Sequence, residues 1–300
     1  ILYSFCNNKM AINTGMFYTA ETDGKLSVSG KKTEADSADV IISLTSHPGR
    51  IKTVDACIRE LFNQTVRPKK ILLWLSEEQF SNREKDLPQN LLKLRNRLFA
   101  IRWTKDDLKP HKKYFYTMEE YPDAAVIIVD DDVIYDKHLV ENLRESYHKF
   151  PQSISAMRTN LMMFKPDGRF REYDNWQYGY KMLRDVPSYQ LLPTGVGGVL
   201  YPPHIFDRNV FDKGAIFETS LFCDDLWLKF NAVRLGVKTV LCQNIAGYHD
   251  IPQTQKVALW RMNVNGNNND VCIEKILSYF DKKYGNASEI VSVMRKDRFC

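Results

Sequence analysis

The sequence predicts an α/β protein built on a parallel sheet that is sandwiched between helices. Short apolar runs alternate with segments whose apolar residues recur at helical spacing, a pattern typical of strands joined by crossover helices. The strongest run, residues 124–129, has no polar residue, as expected of a strand buried on both faces. Ligands of such sheets bind beyond the carboxyl ends of the strands, and three consecutive aspartates follow this strand directly.

Strands and helices alternate in order through the first half of the chain. The runs VIISL and ILLWL are short and almost entirely apolar, which indicates buried strands. Val54, Ile58 and Leu61 recur at helical spacing, and Pro88 occupies a first-turn position that a helix tolerates. The predicted strands are 40–44, 71–75, 100–103 and 124–129, and the predicted helices are 53–62, 87–98 and 112–120.

The pattern is less regular beyond residue 135. Residues 151–220 mix short strands, aromatic residues and turns, and Gly236 is a typical C-cap signal after a helical segment. Asp23 and Gly24 indicate a hairpin turn near the start of the chain, before a charged linker. The remaining predicted elements are helices at 137–150, 226–235, 256–262 and 271–284, a strand at 237–241, a hairpin at 19–30 and a linker at 31–39.

Composition excludes several classes of protein. With 44% hydrophobic and 26% charged residues, the chain is typical of a globular protein and not of a fibrous or disordered one. No apolar run approaches the roughly 18 residues that a membrane-spanning helix needs. The net charge of +5 is spread along the chain, so no nucleic-acid groove is predicted. The six cysteines form no Cys-x-x-Cys pair, which disfavours a zinc site and favours a reducing, cytoplasmic compartment.

The sharpest chemical signal is the run Asp130-Asp131-Asp132. Three adjacent carboxylates repel one another and cannot all be buried unpaired. A hard divalent cation, Mg²⁺ or Mn²⁺, would compensate them, since these ions prefer carboxylate oxygens and also bind substrate phosphates. An acidic turn that caps the next helix is the alternative. A phosphatase of the haloacid dehalogenase type is disfavoured, because Ile134 stands where those enzymes have Thr or Val.

Several motifs, in the same order, resemble those of glycosyltransferases with the GT-A fold. The closest resemblance is to a bacterial family associated with lipopolysaccharide and capsule synthesis, although His47 stands where that family has tyrosine. The resemblance covers roughly residues 39–270. The matching segments are Thr45-Ser46-His47-Pro48-Gly49-Arg50, Asn63-Gln64-Thr65, Asp130-Asp131-Asp132-Val133-Ile134-Tyr135, the stretch from Thr194 to Pro203, and Asp224-Asp225-Leu226-Trp227.

This resemblance implies a GT-A domain, in which a Rossmann-like half-sheet binds a nucleotide-sugar and a subdomain binds the acceptor. We therefore expect an N-terminal extension or linker at 1–38, a nucleotide-sugar-binding half at 39–135, an acceptor-binding half at 136–250 and a C-terminal helical segment at 251–300. Because the first residue is Ile1 and not Met, we expect a processed or excised chain.

The resemblance also implies which residues bind the donor. Residues at the first strand end would face the uridine and ribose, and basic residues would neutralise the diphosphate. A surface arginine, an exposed lysine pair and a tight glycine turn are the structural alternatives for three of these groups. The expected donor-binding residues are Thr45, Ser46, Arg50, Asp107, Lys112, Lys113, Asp130, Asp131, Gly197 and Gly198.

Metal binding and proton removal are implied by the remaining motifs. Asp132 would contact the metal together with Asp131, and His249 is a further candidate ligand that the closest family often lacks. Asp225, with Asp224 as second choice, would act as the base that removes the acceptor hydroxyl proton in an inverting reaction. Carboxylates at the start of a helix are also favoured by the helix dipole alone, which is the structural alternative.

The function expected from these implications is metal-dependent transfer of a sugar from a nucleotide-sugar, a UDP-sugar in the first instance, to a glycan or lipid-linked glycan. The cofactor would be Mn²⁺ or Mg²⁺, and nucleic acid is not an expected partner. We expect a cytoplasmic location. Peripheral association with the inner face of the membrane is a second expectation. Two alternatives stay open, a non-catalytic nucleotide- or sugar-binding module of the same fold and a metal-dependent nucleotidyltransferase.

Overall fold

A central sheet of seven strands runs through the computed structural model, which describes residues 37–252 and 268–297. The hairpin expected at 19–30, the helix expected at 256–262 and all but the last residues of the N-terminal extension and linker lie outside these ranges. The described strands are β1 Ser37–Thr45, β2 Arg67–Ser76, β3 Phe99–Thr104, β4 Ala125–Ile128, β5 Val133–Tyr135, β6 Ile154–Ala156, β7 Thr159–Leu161, β8 Leu191–Pro193, β9 Val199–Tyr201, β10 Thr239–Leu241 and β11 Tyr248–Asp250.

Helices connect most of these strands. The described α-helices are α1 Val54–Phe62, α2 Gln89–Leu92, α3 Lys112–Glu120, α4 Leu139–Lys149, α5 Lys213–Thr219, α6 Asp224–Arg234, α7 Asn268–Tyr284 and α8 Ala287–Lys296. The predicted C-cap is confirmed, because Gly236 lies just beyond α6 with a φ of 74° that favours glycine. None of the described helices has both the length and the apolar character needed to cross a membrane.

The sheet confirms the predicted α/β class. Its order is β10-β6-β9-β4-β1-β2-β3, and the four strands β4, β1, β2 and β3 are parallel neighbours. Only β9 runs antiparallel to its neighbours, β4 and β6, within this sheet. The first four predicted strands all lie within or beside β1 to β4, which differ from them only at their ends.

The side chains of β4 explain why its sequence is continuously apolar. Ile127 and Val129 belong to the hydrophobic core that contains α1, α2 and α4. Val126 and Ile128 belong to the core on the opposite face, with α3 and α5 to α8. A strand whose successive side chains enter two cores has no solvent-facing position that would favour a polar residue.

The helix predicted at 87–98 is the largest error in the predicted elements. Only Gln89–Leu92 is α-helical, and a 3₁₀ turn at Arg83–Asp86 precedes it. Asn96 ends the segment, because its side-chain oxygen accepts from the backbone N–H groups of Leu98 and Phe99 at 2.7 and 3.0 Å. Asparagine favours such a turn over helix, and β3 begins at Phe99.

Candidate active site

The carboxyl ends of β1 and β4 bring the two strongest motifs to the same edge of the sheet. The strands are parallel neighbours in which Ser43 pairs with Ile128. The backbone N–H of Asp130 donates to the buried hydroxyl of Tyr135 at 2.8 Å, which holds the acidic turn against the end of β5. The acidic run therefore lies beside the segment that follows Thr45, as the parallel topology requires.

Arg50 lies between two of the three aspartates. Its Nη1 is 2.8 Å from Asp131 Oδ1, and its Nη2 is 2.9 Å from Asp132 Oδ2. The Arg50 side chain is only 7% exposed, so it is not a surface arginine. Burial raises the pKa of Asp132 to about 7, with a further contribution from Asp130 that Arg50 opposes. One guanidinium is therefore not enough to keep Asp132 fully ionised at neutral pH.

Lys113 joins the acidic run to helix α6. Its Nζ is 2.7 Å from Asp130 Oδ1 and 3.0 Å from Asp224 Oδ2, and its side chain is 5% exposed. Burial disfavours the ammonium, but the carboxylates of Asp130, Asp224 and Asp225 outweigh burial and raise the Lys113 pKa well above its usual value. A permanent positive charge therefore bridges the end of β4 and the first residue of α6.

Asp225 lies at the first turn of α6, where its carboxylate faces the loop before β9. Both of its oxygens are 3.2 Å from the backbone N–H of Gly195, which donates to them. Burial raises the pKa of Asp225 to about 8, and the neighbouring carboxylate of Asp224 reinforces this effect. A carboxyl group with so high a pKa can take up and release a proton near neutral pH.

A buried histidine fixes the segment that leads into α6. His111, directly before α3, donates its Nε2–H to the carbonyl of Ser220 at 2.8 Å. Burial lowers the pKa of His111 to about 4, so its ring is neutral at neutral pH. This contact attaches the α5–α6 connection to the helix that carries Lys113.

Gly195 is the glycine of its loop that faces the ion pairs. A Cβ atom at this position would be 2.8 Å from Lys113 Nζ and 3.2 Å from Asp130 Oδ1. The two glycines expected to bind the donor have other neighbours. A Cβ on Gly197 would be 2.5 Å from Arg158 Cβ, and Gly198 has a φ of 90° and packs against Leu139. Gly198 therefore serves a tight turn, which was the structural alternative to donor binding. Of these three glycines, only Gly195 brings its backbone to the carboxylates.

Thr45, the last residue of β1, and Ser46, which follows it, differ in their hydrogen bonding. The Thr45 hydroxyl donates to the Trp74 carbonyl at 2.8 Å and so connects β1 to β2. Ser46 is buried, and its hydroxyl has no hydrogen-bond partner among the described residues. Asp131 Oδ2 and Arg50 Nε are also buried without a hydrogen-bond partner in this part of the chain. Buried polar atoms are normally satisfied, so these three are suited to contact a polar ligand.

Asp107 and Lys112 form a second ionic network. The Asp107 carboxylate pairs with Lys112 and with Lys109. His47 lies within reach of both networks, because Asp131, Arg50, Lys112 and Asp107 all affect its pKa, which burial lowers. The two expected donor residues therefore lie near His47, but in the described ranges neither forms an ion pair with the acidic run.

His249 is placed near the acidic run by its backbone and not by its side chain. It lies on β11, which pairs with β5 so that His249 is opposite Ile134. The backbone N–H of Ile251 donates to the carbonyl of Asp132 at 2.8 Å. The His249 side chain is exposed, and among the described residues it forms no ion pair with Asp131 or Asp132.

The residues described here contain no group of three or more His, Cys, Asp or Glu side chains arranged to hold a metal ion. The charge balance nevertheless fits a divalent cation. The five carboxylates at 130–132 and 224–225 have Arg50 and Lys113 as their cationic partners, which leaves an excess of three negative charges when all are ionised. Burial is the main cause of the raised pKa values of Asp132 and Asp225, and the neighbouring carboxylates raise both further. Carboxylates in such excess suit Mg²⁺ or Mn²⁺.

The sequence assigned no role to Arg158 and gave Tyr135 none beyond its place in a motif, and it expected Gly197 and Gly198, rather than Gly195, to be the donor-binding glycines of their loop. The glycines alone indicate close backbone approach, but which of them faces the ion pairs depends on how the loop meets α3 and α6.

No family model matches the chain, and no curated protein matches it either.

Proposed function

We propose that the chain is a metal-dependent glycosyltransferase with a GT-A-type domain, which transfers a sugar from a UDP-sugar to a glycan or lipid-linked glycan acceptor. The observation that carries the proposal is the continuous ionic network from Arg50 through the acidic run and Lys113 to the first turn of α6. It joins a carboxylate cluster at the end of a parallel strand to a second carboxylate pair. The proposed metal-dependent, inverting transfer uses both, the first to hold the cation that binds the departing diphosphate and the second to take the proton of the acceptor hydroxyl.

The donor would occupy the edge of the sheet beyond β1 and β4. Ser46, Arg50 and Asp131 have polar atoms there without partners among the described residues, which suits a ribosyl diphosphate. Asp131 and Asp132 are the residues that would hold Mn²⁺ or Mg²⁺. When bound, such an ion supplies Lewis-acid stabilisation of the departing diphosphate. Arg50 supplies a fixed positive charge beside the same group.

Asp225 would remove the proton from the acceptor hydroxyl. The acceptor oxygen then bonds to the anomeric carbon of the donor sugar, and the bond from that carbon to the diphosphate oxygen breaks, so that UDP leaves with the electron pair. The Gly195 N–H holds the Asp225 carboxylate in place. Its pKa of about 8 makes it a stronger base than an ordinary carboxylate once it is ionised. Direct attack of this kind inverts the configuration of the sugar.

The burial of Asp225 beside another carboxylate, which raises its pKa, supports a catalyst over a binding module. A carboxyl with a strongly raised pKa weakens the folded state when it ionises, so a binding protein has no need of one. Synthesis of a surface polysaccharide at the inner face of the membrane is the setting that we propose for this acceptor class.

Hydrolysis or transfer of UDP-sugars tests this function directly. With Mn²⁺ present, the wild type is expected to release UDP, and Asp132→Ala is expected to lose about a hundredfold or more of this turnover, since a charged partner at the leaving group is worth several kcal/mol. Asp123→Ala is the matched control, because Asp123 is exposed and precedes β4 at the opposite edge of the sheet. Full turnover in Asp132→Ala, or none in the wild type across a panel of nucleotide-sugars, would refute the proposal.

A further inference from the structure

Arg158 is a cation of the candidate site whose charge has no carboxylate partner among the described residues. It follows β6, and its Nη1 donates to the Thr194 hydroxyl at 2.9 Å. Its backbone carbonyl accepts from the Thr194 N–H at 3.1 Å. By contrast, Arg50 and Lys113 each contact two carboxylates. Arg158 therefore has a fixed position and forms no ion pair with a described acidic group.

The glycine loop places Arg158 beside the transfer site. Residues Gly195–Gly197 form one 3₁₀ turn. Gly195 faces Lys113, Asp130 and Asp225, whereas a Cβ on Gly197 would lie 3.0 Å from the Arg158 backbone nitrogen and closer still to its Cβ. A single turn of backbone thus separates Arg158 from the residues that we assign to the donor and to the base.

Two tyrosines, Tyr248 and Tyr173, connect Arg158 electrostatically to both ends of that site. Burial raises the pKa of Tyr248, and Asp130 raises it further whereas Arg158 lowers it. Burial also raises the pKa of Tyr173, with Asp225 adding to the rise and Arg158 opposing it. Tyr173 and Tyr178 contact edge to face, with ring centroids 5.8 Å apart. Arg158 therefore shares one aromatic neighbour with Asp130 and another with Asp225.

The chemistry of the side chain identifies what it would bind. A guanidinium has five N–H donors in a planar fork, and the structure commits one nitrogen of Arg158 to Thr194. The remaining donors match the two oxygens of a carboxylate or the oxygens of a phosphate. A neutral sugar would form only ordinary hydrogen bonds with these donors, whereas an anionic group forms the stronger charge-assisted ones.

We propose that Arg158 is a specificity-determining residue that binds an anionic group, a carboxylate or phosphate, on one of the two sugar substrates. This inference rests on the proposed function, because it needs the sugar to be transferred beside Asp225. The group could belong to the donor sugar or to the acceptor, and both would present the same oxygens to the guanidinium.

Calorimetry with charged and neutral probes tests the inference and distinguishes the two sources. The donor arm compares UDP-glucuronate with UDP-glucose in the presence of Mn²⁺. The acceptor arm compares methyl glucuronide and glucose 6-phosphate with methyl glucoside, without nucleotide. In either the donor arm or the acceptor arm, the wild type is expected to bind a charged probe at least about tenfold more tightly than its neutral counterpart. One charge-assisted contact implies a difference of this size. Arg158→Met should abolish this preference, and Arg158→Lys should retain part of it.

The controls separate specificity from loss of folding. Arg169→Met removes an exposed arginine that pairs with Asp167, and it should keep the wild-type preference. Thermal unfolding shows which Arg158 variants fold, and Arg158→Lys replaces Arg158→Met in the comparison if the methionine variant does not fold.

No charge preference in the wild type in either arm, or a preference that Arg158→Met leaves unchanged, would overturn the inference. Equal weakening of UDP itself by Arg158→Met would also overturn it, because Arg158 would then contact the diphosphate. Failure of the wild type to bind UDP would refute the proposed function, while the nucleotide-free arm would still decide the role of Arg158.

Discussion

Asp225→Asn is expected to abolish sugar transfer while leaving UDP binding unchanged. Asparagine keeps an oxygen that can accept from the Gly195 N–H, but it cannot take a proton from the acceptor. General-base catalysis is worth about 10²–10⁴-fold, so kcat should fall by that factor. Steady-state transfer assays, with calorimetry of UDP, measure both quantities.

The same substitution should stabilise the folded protein, most strongly at high pH. The ordinary pKa of an Asp side chain is 3.8, whereas the pKa of Asp225 in the folded protein is about 8. The folded state therefore binds this proton more tightly than the unfolded state does. The wild type therefore loses stability as pH rises through this window, and a neutral amide does not share the loss. The Tm gain of Asp225→Asn over the wild type should be larger above pH 8 than near pH 4.

Asp281→Asn is the control for these two effects, because Asp281 is an exposed aspartate on α7. It should change neither transfer nor the pH dependence of Tm. Wild-type turnover in Asp225→Asn would refute the assignment of the base. Loss of UDP binding in that variant would instead place Asp225 in the donor site.

Lys113→Met is expected to cause the largest loss of stability among the site variants. It removes the ammonium between Asp130 and Asp224 and leaves two largely buried carboxylates without their cation. Removing one partner from a buried ion pair costs about 3–5 kcal/mol. For a domain of this size that corresponds to a fall in Tm on the order of 10 °C, measured by thermal unfolding without added metal.

Two comparison variants identify the cause of that loss. Lys213→Met removes a more exposed ion pair with Asp106 and should cost no more than about 1 kcal/mol. The double variant Lys113→Met with Asp224→Asn should recover part of the Tm, because it removes one of the unpaired charges. A Tm for Lys113→Met equal to that of Lys213→Met would show that Lys113 does not hold the network together.

The fold was predictable largely because its strands are short and continuously apolar. The four parallel strands and the helix α3 follow directly from these runs and from helical spacing. The helix predicted at 87–98 was wrong because a side-chain contact of Asn96 competes with helix, and apolar spacing does not report such a contact. The helix α8 lies in the C-terminal helical segment expected at 251–300 but was not predicted as a separate element, although Ile290 and Met294 recur at helical spacing and pack into the core.

The site was predictable only in part. The order of strands places Arg50 and the acidic run at one edge, which parallel topology alone implies. That Arg50 contacts Asp131 and Asp132, and that Lys113 but not Lys112 reaches Asp224, depends on side-chain packing between elements distant in the chain. The role of Gly195 depends likewise on the position of α6.

Calorimetric titration of UDP into the wild type and Asp132→Asn, with Mn²⁺ and with a chelator, tests the central claim most directly. The claim is that the carboxylates beyond β4 hold a divalent cation that binds a nucleotide diphosphate. We predict UDP binding by the wild type that depends on Mn²⁺ and weakens at least about tenfold with the chelator or with Asp132→Asn, as expected when a charged contact is lost. Equal UDP affinity under all four conditions, or no binding to the wild type with Mn²⁺, would contradict the account.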